Sequence, residues 1–472
     1  MKIFDKRRDE MYILFGPDEN LSVGQCLDVN GILVQVIDIQ YANLPGVLEH
    51  LLRKSLLEKM LAGEDAQPNL GGELDVMTDY RLAVTKIRGT IREGRFRPGF
   101  FELCADRSNA QIRVLQPSEI LELLGINGGL EGFGVIAGNG EPQFPLRLNR
   151  LGITLITGMK GSGKSYSAKK LLLRLIDAGK VVVVFDINGE YAGLGLNESG
   201  ERNRYAGRIK VLVPKEGGAG GEEVPLRIPL RDITYEDFAD FMGINGETQM
   251  YNELIVYWSM AREFTLGELE QWVRDRVDCD YVKLGLLRKI KTARALKLFG
   301  EFDLKGLIRE LEKSGGALVV KLKGVTRKER SIIVSFLLRR LAELRKAEEI
   351  MPLCVFAEEA QLYATPSMWD DVLTRMRHYG IFPTFITNDP RSLPEEVFSL
   401  CDNLIAFKLQ NSEDLKQVSR VKMVDPETLQ LIRSAENYCC LVTGSLTNDF
   451  PLLIRITPEG GVRMGGETRE LA

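Results

Sequence analysis

Four residues at a fixed spacing could hold a polyphosphate. Gly158, Gly163, Lys164 and Ser165 follow the order G-x-x-x-x-G-K-S within LGITLITGMKGSGKS (151–165). Gly158, Gly161 and Gly163 let the backbone approach a phosphate chain and turn its N–H groups inward. Met159, Lys160 and Ser162 would complete the cradle. Tyr166 would follow in the first turn of a helix whose positive end faces the same anion. Lys164 can reach the β and γ phosphates, and the Ser165 hydroxyl can ligate Mg²⁺. A plain glycine turn between strand and helix has a similar composition. The context favours phosphate: an apolar strand (Leu151, Ile153, Leu155, Ile156) precedes the loop and helical sequence follows it.

Hydrolysis needs more than a cradle. MPLCVFAEEA (351–360) is an apolar strand ending in Glu358 and Glu359. The first carboxylate would hold Mg²⁺ through water, making Ser165 and Glu358 the candidate metal set. The second would orient and polarise the attacking water. Tandem acids are also favoured at a helix N-terminus. Asn388 ends PTFITN (383–388), where an amide can donate to a γ-phosphate and accept from water. An asparagine before Asp389 and Pro390 is equally a turn former. Arg375 and Arg377 in TRMRHYG, and Arg150 ahead of the phosphate-loop strand, could neutralise charge on a transferred phosphoryl group. Each alone could instead be a surface ion pair. Asp186 closes the run VVVVFD (181–186), on the side where open α/β sheets place ligands.

The elements that must position these residues read as an α/β core with a mostly parallel sheet. Continuous apolar runs at 181–185, 317–320 and 353–357 suit strands covered on both faces. The core is expected in two parts, 151–214 and 316–457, separated by a helical insertion at 215–315. Within the insertion, 281–300 carries six basic residues and no acidic one. It is a solvated helix face or a nucleic-acid contact. Residues 1–115 carry short alternating apolar runs and predict a small N-terminal β-barrel, with one helix at about 44–61. Residues 116–150 form a connector. The glycine-rich 458–472 predict a flexible or strapping tail.

Composition narrows the class. The 472 residues are 44% hydrophobic and 27% charged, with a net charge of −4, ordinary for a soluble globular protein. The net charge lends no support to nucleic-acid binding, yet a local basic channel is compatible with it. No apolar run reaches about 18 residues, so no membrane span is expected. The seven cysteines lack C-x-x-C spacing and suit a reducing cytoplasm. With only His50 and His378, a histidine-rich zinc site is not expected.

GMKGSGKS, VVVVFDINGEY, VVKLKGVTRKERSIIVSFLLRRL, VFAEEAQLY and RHYGIFPTFITNDPRSLPEEVFSLCDNLIAF occur in that order over about 130–445. The series resembles HerA-type ATPases of the HerA/FtsK superfamily, the D-x-x-G-E-Y element (186–191) most specifically. The resemblance implies a RecA-like P-loop NTPase core in each subunit of a homo-hexamer. It implies ATP-driven, helicase-type translocation on double-stranded DNA, with a NurA-type nuclease partner in end processing. The N-terminal segment fits the family's HAS barrel in position and size. Lys164 and Ser165 carry over as phosphate and Mg²⁺ ligands, Glu359 as catalytic base or water orienter, and Arg377 as the arginine of the R-x-x-G run. Two positions depart from the commoner pattern. Glu358 replaces the usual Asp and moves its carboxylate by roughly an ångström. Asn388 stands where Gln is usual. A VirB4-like conjugation or secretion ATPase, or a nucleotide-dependent ring that recruits a defence effector, fits the same core.

Overall fold

Alternation of apolar and polar residues sets the first sheet. The computed structural model describes residues 1–41, 80–99, 107, 109–137, 142–214, 223–364, 375–421, 424–433 and 435–465. Two compact units result. One comprises Met1–Arg147 with Leu404–Thr457, the other Leu148–Asn403 with Pro458–Ala472.

The first unit opens with β1 (Lys2–Arg7), β2 (Glu10–Phe15), β3 (Cys26–Val29), β4 (Ile32–Tyr41), β5 (Arg81–Arg92), β6 (Arg95–Pro98) and β7 (Ile112–Val114). They pair antiparallel in the order β1-β2-β5-β4-β3-β7, with β6 beside β5. Met11, Ile13, Phe15, Leu27, Val29, Val34, Val36, Ala83 and Ile87 line one core. Register shifts in β4, between Leu33 and Val34 and between Val36 and Asp38, mark bulges that bend the long β4–β5 pair. Among the described residues no pairing joins β1 to β7, so the closed barrel expected from the sequence is not confirmed. The helix expected at 44–61 lies outside the described residues. A short helix α1 (Pro117–Leu123) and strand β8 (Gly134–Ile136) follow.

The second unit is built on β9 (Thr154–Thr157), α2 (Lys164–Asp177), β10 (Val181–Asp186), β11 (Ile209–Val213) and β12 (Glu223–Pro225). The helices α3 (Tyr235–Met242), α4 (Gln249–Met260), α5 (Leu266–Arg276), α6 (Asp280–Ala295) and α7 (Leu304–Glu312) come next. Then come β13 (Gly316–Lys321), α8 (Arg327–Lys346), β14 (Leu353–Glu358), β15 (Ile381–Thr387) and α9 (Glu395–Leu400). The strand order is β12-β11-β13-β10-β14-β15-β9, every pair parallel. All six residues of β10 and of β14 are buried, as the apolar runs required. β12 falls inside the stretch expected as a helical insertion. Its three residues extend the sheet through β11 and carry too short a pattern to be read from sequence. Residues 365–374 lie outside the described ones, and Met376–Tyr379 form a single tight turn.

β16 (Asn403–Ala406), α10 (Ser412–Val418), α11 (Gln430–Arg433), β17 (Cys439–Gly444) and β18 (Leu452–Ile456) follow. β18 pairs antiparallel with β17 on one side and β8 on the other. The buried Lys86 meets Asp9 at 2.5 Å and Glu427 at 3.2 Å, and Arg88 meets Asp425 at 3.1 Å. These ties place Leu404–Thr457 with the N-terminal sheet, whereas the sequence grouped 316–457 as one core segment. No helix among the described residues is long and apolar enough to cross a membrane.

Candidate nucleotide site

Register brings the chemistry to one sheet edge. β15 lies between β14 and β9, with Glu358 opposite Ile386 and Thr387 opposite Thr157. Glu359, Asn388 and Gly158 therefore leave their strands in one row, at the carboxyl ends where ligands bind in open α/β sheets. Gly158, Gly161 and Gly163 have φ of 149°, 82° and 114°, and Gly163 caps α2. Met159, Lys160 and Gly161 are exposed at the loop's crown, while Ser162 is buried and donates to the Met159 carbonyl at 2.7 Å. Ser165 and Tyr166 sit half-buried in the first turn of α2.

Lys164 is 5% exposed and donates to the Met159 carbonyl at 2.7 Å. Burial lowers its ammonium to about 8, against the pull of Glu359 and Glu190. A polyphosphate in the cradle would supply the charge that the carbonyl only partly offsets.

Glu358 is 2% exposed, and its Oε2 is buried without a hydrogen-bond partner. Burial, then the Asp186 and Glu190 charges, push its carboxyl up to about 8, while Lys169 pulls the other way. Such an orphaned acceptor among carboxylates suits a hydrated dication. No cluster of three or more metal-ligating side chains occurs among the described residues. Mg²⁺ needs none, since it is usually held by one or two protein oxygens, water and phosphate. Ser165 and Glu358 fit that pattern.

Glu359 has φ 44° and ψ 50°, a left-handed conformation that costs a non-glycine residue about 1–3 kcal/mol. Its N–H is fixed on the Ile386 carbonyl at 2.9 Å. The carboxylate accepts from the Asn388 N–H at 3.0 Å and the Asn388 side-chain amide at 2.9 Å, both on Oε1. Thr387 donates to Oε2 at 2.9 Å and Gln361 at 2.6 Å. Asn388 is thus brought against Glu359. Thr387 was not anticipated as a site residue. Its only sequence signal is a hydroxyl just before Asn388 in a strand otherwise apolar at its end.

Asp186 closes on its own loop. Its Oδ1 accepts from the N–H groups of Gly189 (2.7 Å) and Glu190 (3.0 Å), and Oδ2 from Tyr191 (3.1 Å). Burial raises its carboxyl, and those three amides oppose the shift. Asp186 thus spends its carboxylate on three backbone amides of its own loop. The folded loop sends Glu190 to Lys169 at 2.9 Å and buries Tyr191, whose ring lies 5.8 Å from the Lys169 ammonium.

Lys169 and Lys170 are consecutive, and both are about 1% exposed or less. The tail satisfies them. Lys169 donates to the Met464 carbonyl at 2.5 Å, Lys170 to Pro458 at 3.4 Å, and Arg174 meets Glu459 at 2.5 Å. The Glu459 N–H donates to the Tyr166 hydroxyl at 2.6 Å. Residues 458–465 therefore strap along the phosphate-loop helix.

The arginines stand elsewhere. Arg150 precedes β9 and Arg377 precedes β15, so both lie at the strand edge opposite the phosphate loop. Four residues of β9 alone span about 13 Å. Arg377 meets Asp402 at 3.1 Å, and Asp402 also accepts from the Ile153 N–H at 2.8 Å. Arg150 and Arg375 are exposed. In the basic helix α6, Arg294 meets Glu270 at 2.5 Å and Lys289 donates to the Met242 carbonyl at 2.6 Å, so part of that charge is used within the chain.

Residues 137–341 match the family model described as the HerA helicase central domain. The chain is 20% identical over 404 residues to the DNA double-strand break repair helicase HerA of Pyrococcus furiosus, covering 71% of this chain and 69% of that one. It is 22% identical over 515 residues to a probable helicase of Methanocaldococcus jannaschii, covering 99% and 92%. The structure of VirB4 of Thermoanaerobacter pseudethanolicus superposes with a TM-score of 0.51 at 15% identity, over 71% of this chain and 98% of that one. That likeness shows a shared fold. The resemblance to HerA-type ATPases read from the motifs holds, and the α/β core shares its fold with VirB4.

Proposed function

We propose that this chain hydrolyses ATP with Mg²⁺ in a homo-hexameric ring and uses the energy to translocate on double-stranded DNA. It would work beside a nuclease or another effector. One observation carries the hydrolytic part: Lys164, Glu358, Glu359 and Asn388 share one edge of the parallel sheet. Lys164 and the loop amides hold the phosphates, and Ser165 and Glu358 hold the metal. Glu359 takes a proton from the attacking water, and Asn388 holds that water in line. Mg²⁺, when bound, neutralises charge on the phosphate oxygens.

Arg150 and Arg377 supply the reason for a ring. Placed at the opposite edge, they serve the site of a neighbouring subunit, where a guanidinium accelerates phosphoryl transfer. Duplex DNA as the track and a nuclease partner are what the resemblance to HerA-type ATPases supports, and a cytoplasmic setting is what the cysteine usage supports.

The test is ATP turnover with and without duplex DNA, with particle imaging of the same preparation. Stimulation by duplex on six-membered rings is expected, and Lys164→Ala should lose at least about 100-fold in turnover. Intact rings whose turnover ignores duplex would overturn translocation and leave the ATPase standing.

A further inference from the structure

We propose that Thr387 and Gln361 are positioning residues that mount the Glu359 carboxylate for water activation. The proposal rests on Glu359 being the base. Oε2 receives the Thr387 hydroxyl at 2.9 Å and the Gln361 amide at 2.6 Å. The Thr387 hydroxyl has one proton and two acceptors in reach, Glu359 Oε2 at 2.9 Å and the Asp389 carbonyl at 3.3 Å, and the shorter bond to the charged oxygen is the stronger. The Asp389 N–H donates to the Thr387 oxygen at 3.1 Å. Thr387 is itself fully buried, and its own carbonyl accepts from the Thr157 hydroxyl at 3.2 Å. Thr157 is the last residue of β9, so the mount is keyed to the strand that launches the phosphate loop.

Oε1 is held differently. Both of its donors come from Asn388, one a backbone N–H and one the amide of an exposed side chain. Four donors fill the four lone-pair directions of a carboxylate. A water can hydrogen-bond to Glu359 only if one donor yields, and the exposed Asn388 amide is the one free to rotate. The two Oε2 donors stay, so the carboxylate keeps its aim while Oε1 turns to the water. The left-handed backbone of Glu359 gives this mount its purpose. The backbone of Glu359 is tied to β15 only through its N–H on Ile386, and beyond that bond the side-chain donors aim the carboxylate.

The proposal is tested on the full chain by steady-state ATP turnover together with equilibrium binding of a fluorescent non-hydrolysable ATP analogue. Thr387→Val removes the donor at nearly constant volume. It should lower kcat by about 10- to 100-fold, the cost of misplacing a reacting group, with analogue affinity held within about threefold. Thr387→Ser should restore kcat to within about threefold. Combined with Glu359→Gln, Thr387→Val should cost no further turnover, since the two act as one unit. Wild-type kcat in Thr387→Val, with Glu359→Gln inactive, overturns the proposal and spares the assignment of the base. Parallel loss of analogue binding, failure of serine to rescue, or additivity with Glu359→Gln overturns it as well. Normal turnover in Glu359→Gln would sink the assignment of the base itself.

Discussion

Asn388 meets Glu359 twice, through its backbone N–H at 3.0 Å and its side-chain amide at 2.9 Å, both on the same carboxylate oxygen. The end of β15 and the end of β14 are thereby tied by a charge-assisted pair of bonds, stronger than neutral ones. Only the NH₂ of that amide can face a carboxylate, which assigns its orientation in this pairing.

An aspartate at 388 would set two carboxylates against each other. Like charges at this range disfavour double ionisation and push the pair apart. Asn388→Asp should lower kcat by about 100-fold with nucleotide affinity nearly unchanged, whereas Asn388→Gln, which keeps the amide, should lose less than about tenfold. Parallel kcat and Kd measurements on the two variants check this. Equal loss in both would deny the pairing a role in turnover.

Glu358 ties stability to pH. Its carboxyl is raised from 4.5 to about 8, so the folded state holds more protons than the unfolded one between those values. The stability it contributes is whole below pH 4.5 and is lost as pH rises through 8. Glu358→Gln should therefore stabilise the nucleotide-free protein by about 2 kcal/mol at pH 9 and by far less at pH 5. Turnover should collapse at both. Urea denaturation at the two pH values decides it, and an equal change at both would refute the buried charge.

Gly152 has φ 47°, and a Cβ there would overlap the Asp402 carboxylate. Asp402 holds both the Ile153 N–H and Arg377. Gly152→Ala combines left-handed strain with displacement of that carboxylate, and should destabilise by about 2–4 kcal/mol. A denaturation midpoint within error of wild type would contradict the crowding.

Arg377 offers a test of action between subunits. Arg377→Ala and Lys164→Ala should each abolish turnover alone. Mixed in one ring, they should recover part of it, because some interfaces then join an intact phosphate loop to an intact arginine. Turnover of mixtures across a range of ratios reads this out. Recovery absent at every ratio, with subunit exchange shown, would place the arginine outside the reaction.

The phosphate loop was legible because its parts are contiguous. Glu358, Glu359 and Asn388 were legible because strand ends are marked by an abrupt change from apolar to polar residues. The clamp on Glu359 was not. Thr387 and Gln361 reach it across 28 and 2 positions of sequence, and the shorter link depends on a left-handed turn that no propensity foretells. Asp186 was legible as a strand-end carboxylate, but its use by three backbone amides appears only once the loop is folded. Lys169 and Lys170 were invisible for a similar reason. Adjacent lysines on a helix are ordinarily solvated, and their partners lie almost 300 residues further along.

That last connection bears on how the protein is made. The second unit draws on residues beyond Thr457 to receive the lysines of its phosphate-loop helix, and the first needs Leu404–Thr457 to pair β8 with β18 and to meet Lys86 and Arg88. Neither unit closes while the chain is being extended through the other. Synthesis proceeds at about 5–20 residues per second, so the nascent phosphate-loop helix waits many seconds for the strap carbonyls that receive Lys169 and Lys170. During that interval the ribosome-bound chain holds a nucleotide-binding motif without the strap that fixes it. A chain interrupted before residue 458 would keep every motif of the site and lack the strap that satisfies the phosphate-loop helix.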